Sequence, residues 1–160
     1  MTAAERWRRR GRTLEAAGFL VIARLLVGRV KFAHWRPLLG SRLPLSADRR
    51  ATAGSGETAE RVAAAVDRAA TRLGGSAKCL PRAIAAQWML RRRGVPAVVH
   101  LGVMPGRERG TLDDLHAWTT VAGEDGPPSD PIPHIELLRF GGLRFDHPAT
   151  AERARNSSVC

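Results

Sequence analysis

Three side chains able to do thiol chemistry occur in the order Cys79, His116 and Asp130. Cys79 opens "CLPRAIAAQWMLRRRG", a run of good helix formers in which Pro81 suits the first turn, where its missing N–H is not needed. The first turn of a helix favours a thiolate, because its unpaired N–H groups and the helix dipole stabilise an anion. An imidazole could take the thiol proton, and a carboxylate could orient the imidazole. The pattern predicts a nucleophilic cysteine.

The imidazole and the carboxylate fall on predicted strands. "LHAWTTVAG", residues 115–123, has the composition of a strand, and "SDPIPHIELLRF" predicts a third strand whose prolines favour the edge of the sheet. A hairpin between these strands would set Asp130 opposite His116. Asp130 also suits a turn, because it lies between Ser129 and Pro131. Its competitors for the role are Asp113, Asp114 and Asp125.

Two further residues are candidates for substrate binding. Trp118 follows His116 by two positions and shares its strand face, which fits core packing beside the site better than substrate contact. Arg82, one turn after Cys79, could hold the thiolate or a substrate carboxylate, or could simply be a solvated surface arginine. No metal site or cofactor is predicted, since a zinc site from Cys79, His116 and Cys160 would need the chain end to fold back.

The elements around these residues are predicted to be helices first and strands afterwards. Thr13 is the predicted N-cap of a first apolar helix, residues 57–73 form an amphipathic helix ended by two glycines, and the Cys79 helix ends at Gly94. Residues 95–103 then form a β-branched strand. We therefore expect an α+β fold: a helical N-terminal section packed on a core in which the nucleophile, at a helix N-terminus, faces an antiparallel sheet.

The composition suggests three parts within 160 residues. These are a basic helical N-terminal section (1–50), a catalytic core (51–148) and a mobile tail (149–160). The two cysteines do not form a disulfide framework, which favours the reducing cytoplasm. The longest apolar run, residues 16–28, is too short to span a bilayer and contains an arginine.

Most of the excess charge lies in the N-terminal section. Residues 1–50 hold 12 Lys/Arg against 3 Asp/Glu, a net charge of +9, whereas the remaining residues have a net charge of +2. One interpretation is a solvated basic helix, and the other is a docking face for an acidic partner, with Arg8 or Arg10 beside Trp7. Nucleic-acid binding is not expected, because no recognised motif is present and aromatic residues for stacking are few.

The segment "CLPRAIAAQWMLRRRGVPAVVHLGV" followed by "DDLHAWTTVAGEDGPPSDPI" resembles the leader peptidase of lasso-peptide biosynthesis, a bacterial cysteine protease of the transglutaminase-like superfamily. The resemblance implies a transglutaminase-like (papain-like) core with Cys79 as nucleophile, His116 as general base and Asp130 as orienting acid. The stretch between the last two is longer and richer in proline than is usual in the family.

The same resemblance implies the reaction and its partners. The enzyme would cut the leader from a precursor peptide, so that a separate asparagine-synthetase-like cyclase could close the ring. Because the chain begins with the basic helical section, a separate small leader-recognition protein is expected. Two alternatives are a transglutaminase or amide-transfer enzyme with the same triad, and a non-enzymatic basic adaptor.

Overall fold

Helices dominate the first half of the chain and strands the second. The computed structural model describes residues 2–43, 55–75, 78–103, 115–121 and 135–141. Its elements are α1 (Ala3–Arg29), α2 (Phe32–Trp35), a 3-10 helix (Arg36–Leu39), β1 (Ser41–Leu43), α3 (Ser55–Arg72), α4 (Cys79–Arg91), β2 (Ala97–Val103), β3 (Leu115–Val121) and β4 (Ile135–Gly141). The architecture is α+β, as predicted. The predicted boundaries at 50/51 and 148/149, and the tail 149–160, lie outside the described residues.

The first helix begins earlier than its predicted start. Thr2 is the N-cap: its hydroxyl accepts a hydrogen bond from the Glu5 N–H (3.2 Å), and the Glu5 carboxylate accepts one from the Thr2 N–H (2.6 Å). The predicted N-cap, Thr13, is wrong, because Thr13 lies inside the helix and its hydroxyl donates to the Arg9 carbonyl (2.9 Å). The capping box starts the helix, and the alanines and arginines that follow have the propensity to continue it.

The N-terminal helix is part of the main core. Small and aliphatic side chains let α1, α3 and α4 pack closely. The buried members of this cluster include Ala16, Leu20, Val62, Ala65, Val66, Ala69, Ala85, Met89 and Leu90. Glu15 of α1 also pairs with Arg93 (2.6 Å), just after α4. Within the described ranges, none of the helices combines the length and the apolar character needed to cross a bilayer.

The sheet places its last strand inside, not at an edge. Its order is β1-β4-β2-β3, and the neighbouring strands are antiparallel. The predicted edge position of the third strand is therefore wrong. The predicted hairpin between this strand and the His116 strand is wrong too, because β2 lies between β3 and β4. The prolines precede β4, so each of its residues keeps the N–H that an interior strand needs. β1, which the sequence did not predict, covers its far side. Gly40 allows this approach: its φ is +104°, and a Cβ there would lie 2.9 Å from the Gly141 carbonyl oxygen.

Helix α4 covers one face of the sheet and is tied to it by a buried amide. Ala83 of α4 packs against Val99 and Ala117. Gln87, fully buried, places its amide nitrogen 3.0 Å from the Leu39 carbonyl and 3.1 Å from the Phe140 carbonyl. This amide joins α4 to the 3-10 helix and to β4. The orientation of α4, and so the position of its first residue, depends on this packing.

Candidate active site

The thiol of Cys79 lies at the start of α4, beside the start of β3. Cys79 is the first residue of the helix and is partly exposed. Its Sγ donates a hydrogen bond to the Leu115 carbonyl, at 3.5 Å. The N-cap, Lys78, makes no capping hydrogen bond with its side chain, and Pro81 carries no N–H. The backbone N–H groups of the first turn can therefore face an anion near the sulfur.

His116 occupies the same end of β3. It directly follows Leu115, whose carbonyl accepts the thiol hydrogen bond, and it pairs with Gly102 of β2. Its half-buried ring stacks on Trp118, with the ring centroids 6.0 Å apart. Side chains alternate along a strand, so His116 and Trp118 lie on the face away from Ala117 and α4. The sulfur thus approaches the backbone that carries His116, while the ring lies on the Trp118 side.

Trp118 lies between two histidine rings. Its indole is nearly parallel to the His100 ring, at an interplanar angle of 6° and a centroid distance of 5.3 Å. It also lies over Gly102, where a Cβ would come within 3.0 Å of the indole. A side chain at position 102 would displace the indole. With 8% of its surface exposed, Trp118 has the contacts of a packing residue.

A buried polar network holds His100 on this face. Its Nδ1 is 2.6 Å from Glu136 Oε1, and its Nε2 is 2.7 Å from the Thr120 hydroxyl. Arg139 donates from Nε and Nη2 to the two oxygens of Glu136, at 2.8 and 2.6 Å. These contacts favour the tautomer in which Nδ1–H donates to the carboxylate and Nε2 accepts from Thr120.

The charges of this network follow from burial and pairing. Burial lowers the pKa of His100 below its ordinary value of 6.5, and this outweighs the opposing effect of Glu136. Burial alone would raise the pKa of Glu136, but the hydrogen bonds and charges of Arg139 and His100 hold it below its ordinary 4.5. At neutral pH the ring is neutral and the carboxylate is ionised.

Sequence reasoning missed this network. Alternation places His100 and Thr120 on one face of their strands, which was the available signal. Glu136 reaches that face through a register irregularity between Leu101 and Gly102, where the pairing with β4 shifts. No local pattern in the sequence marks that shift.

The other predicted site residues are placed elsewhere or lie outside the described residues. Arg82 pairs with Asp67 of α3, so its guanidinium is directed toward that helix. Asp130 lies outside the described residues, and so do three other acids and the second cysteine: Asp113, Asp114, Asp125 and Cys160. Among the residues that the structure describes, no three or more His, Cys, Asp or Glu side chains are grouped to hold a metal ion.

Comparison with known families agrees with this fold. The family model described as the transglutaminase-like superfamily matches residues 22–130, which is more than half of the chain. The chain therefore belongs to the transglutaminase-like superfamily, whose members are typically cysteine proteases or acyltransferases. The match includes Cys79, His116 and Asp130. No curated protein and no solved structure is significantly similar to the chain.

Proposed function

We propose that this protein is a cysteine endopeptidase that removes the leader from a lasso-peptide precursor in the cytoplasm. It acts with a separate small leader-recognition protein and passes the core peptide to an asparagine-synthetase-like cyclase. Cys79 is the nucleophile, His116 the general base and Asp130 the acid that orients the imidazole. The core of residues 51–148 carries this chemistry, and the basic section of residues 1–50 carries the contacts with partners.

One observation carries the proposal. In a member of the transglutaminase-like superfamily, a partly exposed thiol at a helix N-terminus lies 3.5 Å from the carbonyl that precedes His116. A thiol kept only for packing would gain nothing from partial exposure or from the uncapped first turn of a helix. The leader-peptidase assignment rests further on the resemblance of the Cys-Leu-x-Arg and His-Ala-Trp segments.

The reaction is acyl transfer through a thioester. In this step the His116 ring turns from the Trp118 side of β3 toward the sulfur and takes the proton of Cys79. The sulfur then attacks the carbonyl carbon of the last leader residue. The Cys79 backbone N–H stabilises the oxyanion that forms. The C–N bond then breaks, and the core peptide leaves as a free amine with the proton held by His116. The amine takes the proton of His116 as it leaves, and His116 next removes a proton from water, which attacks the thioester. The C–S bond breaks, the leader leaves as a free acid, and His116 returns the proton to the sulfur of Cys79.

The test combines the purified chain, a precursor peptide and the leader-recognition protein, with products identified by mass spectrometry. Cys79→Ala is expected to abolish leader removal and to keep the circular dichroism spectrum of the wild type. Cys160→Ala is the matched control and should process at the wild-type rate. Processing by Cys79→Ala at a rate near that of the wild type would refute the assignment.

The same assay separates the alternatives. Hydrolysis yields the free leader acid, whereas amide transfer yields a heavier leader–amine adduct. Asp130→Asn should reduce the rate far more than Asp113→Asn, Asp114→Asn or Asp125→Asn, and the reverse order would move the orienting role to one of those residues. In a Cys160→Ala background, iodoacetamide should label Cys79 faster than free cysteine at neutral pH. Slower labelling would favour the non-enzymatic adaptor.

A further inference from the structure

Helix α1 carries apolar side chains on the side opposite the core. Its buried residues are Thr13, Ala16, Leu20 and Ala23. At 3.6 residues per turn, a second apolar row runs along the other side of the helix. The exposed fractions of its large members are 72% for Trp7, 71% for Leu14, 44% for Val21 and 46% for Leu25. An exposed row of this kind on a helix already packed into the core is typical of a contact surface.

Glycines complete this row at heptad spacing. Trp7, Gly11, Leu14, Gly18, Val21, Leu25 and Gly28 follow one another at alternating intervals of four and three residues, and we call this set the outer seam. The interval pattern is that of the a and d positions of a coiled coil. The outer seam is about 32 Å long.

The glycines of the outer seam are not required by the fold. A Cβ at Gly11, Gly18 or Gly28 would meet no atom within 4 Å. Each glycine inside a helix costs about 0.5–1 kcal/mol relative to alanine. A partner helix would explain why these glycines are present, because residues without side chains let two helix backbones approach closely.

The positive charge of α1 defines what kind of partner helix can bind to the outer seam. α1 contains seven arginines and two glutamates. Glu5 is engaged in the capping box, and Glu15 pairs with Arg93. A second copy of α1 would bring two positively charged helices together, which like-charge repulsion opposes. An acidic partner would be attracted by the same charge.

We propose that the outer seam binds an acidic amphipathic helix of a partner protein. The partner's apolar ridge would lie against Leu14 and Val21, and its carboxylates would lie against the exposed Arg8 and Arg10. Gly11 and Gly18 set the close approach of the two backbones. This inference concerns α1 alone and holds whether or not the chain is a leader peptidase, since it is tested by binding without cleavage.

The test uses the full chain and a fluorescein-labelled peptide of about three heptads, with leucine at the a and d positions and glutamate at e and g. Fluorescence anisotropy is expected to show binding at least about tenfold tighter than for a scrambled peptide of the same composition or for a lysine-for-glutamate version. Equal affinity for the designed and scrambled peptides would overturn the proposal.

Two seam variants with matched controls test the contact itself. Leu14→Ser should weaken binding about tenfold, while Leu73→Ser, an exposed leucine just after α3, should not. Gly18→Leu should weaken binding by blocking the close approach, although it adds apolar surface to the helix. Ala64→Leu on the exposed side of α3 is its control. Tighter binding by Gly18→Leu would show that the peptide binds to exposed apolar surface without close approach of the two backbones. That result would reject the proposed role of the seam glycines.

Two other occupants are distinguished by separate measurements. Flotation with phosphatidylcholine–phosphatidylglycerol vesicles tests a membrane surface, and sedimentation tests self-association. Vesicle binding without peptide binding, or a dimer that Leu14→Ser dissociates, would each overturn the proposal. Circular dichroism of all variants should match the wild type, because the substituted side chains are exposed or face open space.

Discussion

The two faces of the sheet come from the same strands, yet different interactions stabilise them: apolar packing on one face and hydrogen bonds on the other. Under α4, Val99 and Ala117 pack against an apolar helix side. On the opposite face, His100 and Glu136 form a directional network around Trp118. Apolar burial is strong but non-directional, so the first face holds α4 in place. Hydrogen bonds require particular atoms at particular distances, so the second face holds rings in fixed orientations beside His116.

The difference separates two roles: one face stabilises the fold, and the other sets how stability depends on pH. Loss of packing under α4 should be felt mainly as lost folding free energy, because a cavity remains. Loss of a group in the polar network should be felt mainly in how stability depends on pH, because its members titrate. Variants on each face can therefore test whether the two roles are distinct.

The largest effect is expected under α4. Ile84→Ala removes a side chain that is 1% exposed and packed with Trp35, Leu39 and Phe140. It should lower the free energy of unfolding by about 2–5 kcal/mol, because the apolar atoms removed no longer contribute by being buried and because a cavity is left behind. Urea denaturation measures this change. Ile22→Ala, at an exposed position of α1, should change the value by less than about 0.5 kcal/mol. Equal effects would contradict the packing argument.

The next largest loss of stability is expected when the amide of Gln87, on the apolar face, is removed. Gln87→Met keeps the length of the side chain but leaves the carbonyls of Leu39 and Phe140 without their donor. We expect a loss of about 2 kcal/mol, because two buried residues would lose hydrogen bonds that Gln87 donates to their carbonyls. Thr119→Val, which removes one hydrogen bond to the Ala83 carbonyl, should cost less, about 1 kcal/mol. The opposite order in urea denaturation would disprove the bridging role of Gln87.

The polar face should show a pH signature. Because the pKa of His100 is lowered by folding, the unfolded chain binds its proton first as pH falls below 6.5, and stability decreases. The lowered pKa of Glu136 adds a second loss as pH falls below 4.5. Unfolding free energies measured from pH 7 to pH 5 should therefore fall in the wild type, with a shallower slope in His100→Gln. A slope in His100→Gln as steep as that of the wild type would reject the assignment.

The smallest change in stability is expected when the exposed ion pair of Arg82 and Asp67 is broken. Arg82→Ala should change stability by less than about 1 kcal/mol, because a solvated pair gains little. Arg61→Ala, which breaks the exposed pair with Glu57, is its control. Because the guanidinium of Arg82 is directed toward α3, the rate of precursor processing should stay at the wild-type value. A rise in KM for Arg82→Ala alone would restore the substrate-binding role.

Local signals predicted much of the helical part and the place of the thiol. Gly74 and Gly94, both with positive φ, end α3 and α4 where the sequence indicated. Cys79 begins its helix as predicted. The start of α1 was missed because Thr13 has the residue type of an N-cap without its local partners, whereas Thr2 has Glu5 three positions later.

The sequence by itself determined where α3, α4 and the main strands run and that Cys79 stands at a helix N-terminus. These features depend on dihedral preferences and contacts within a few residues of the chain. Tertiary structure alone decided that β4 lies inside the sheet, that the three residues of β1 join it, and that His100 meets Glu136. Those outcomes depend on hydrogen bonds between distant segments, whose energies arise only once both partners are in register.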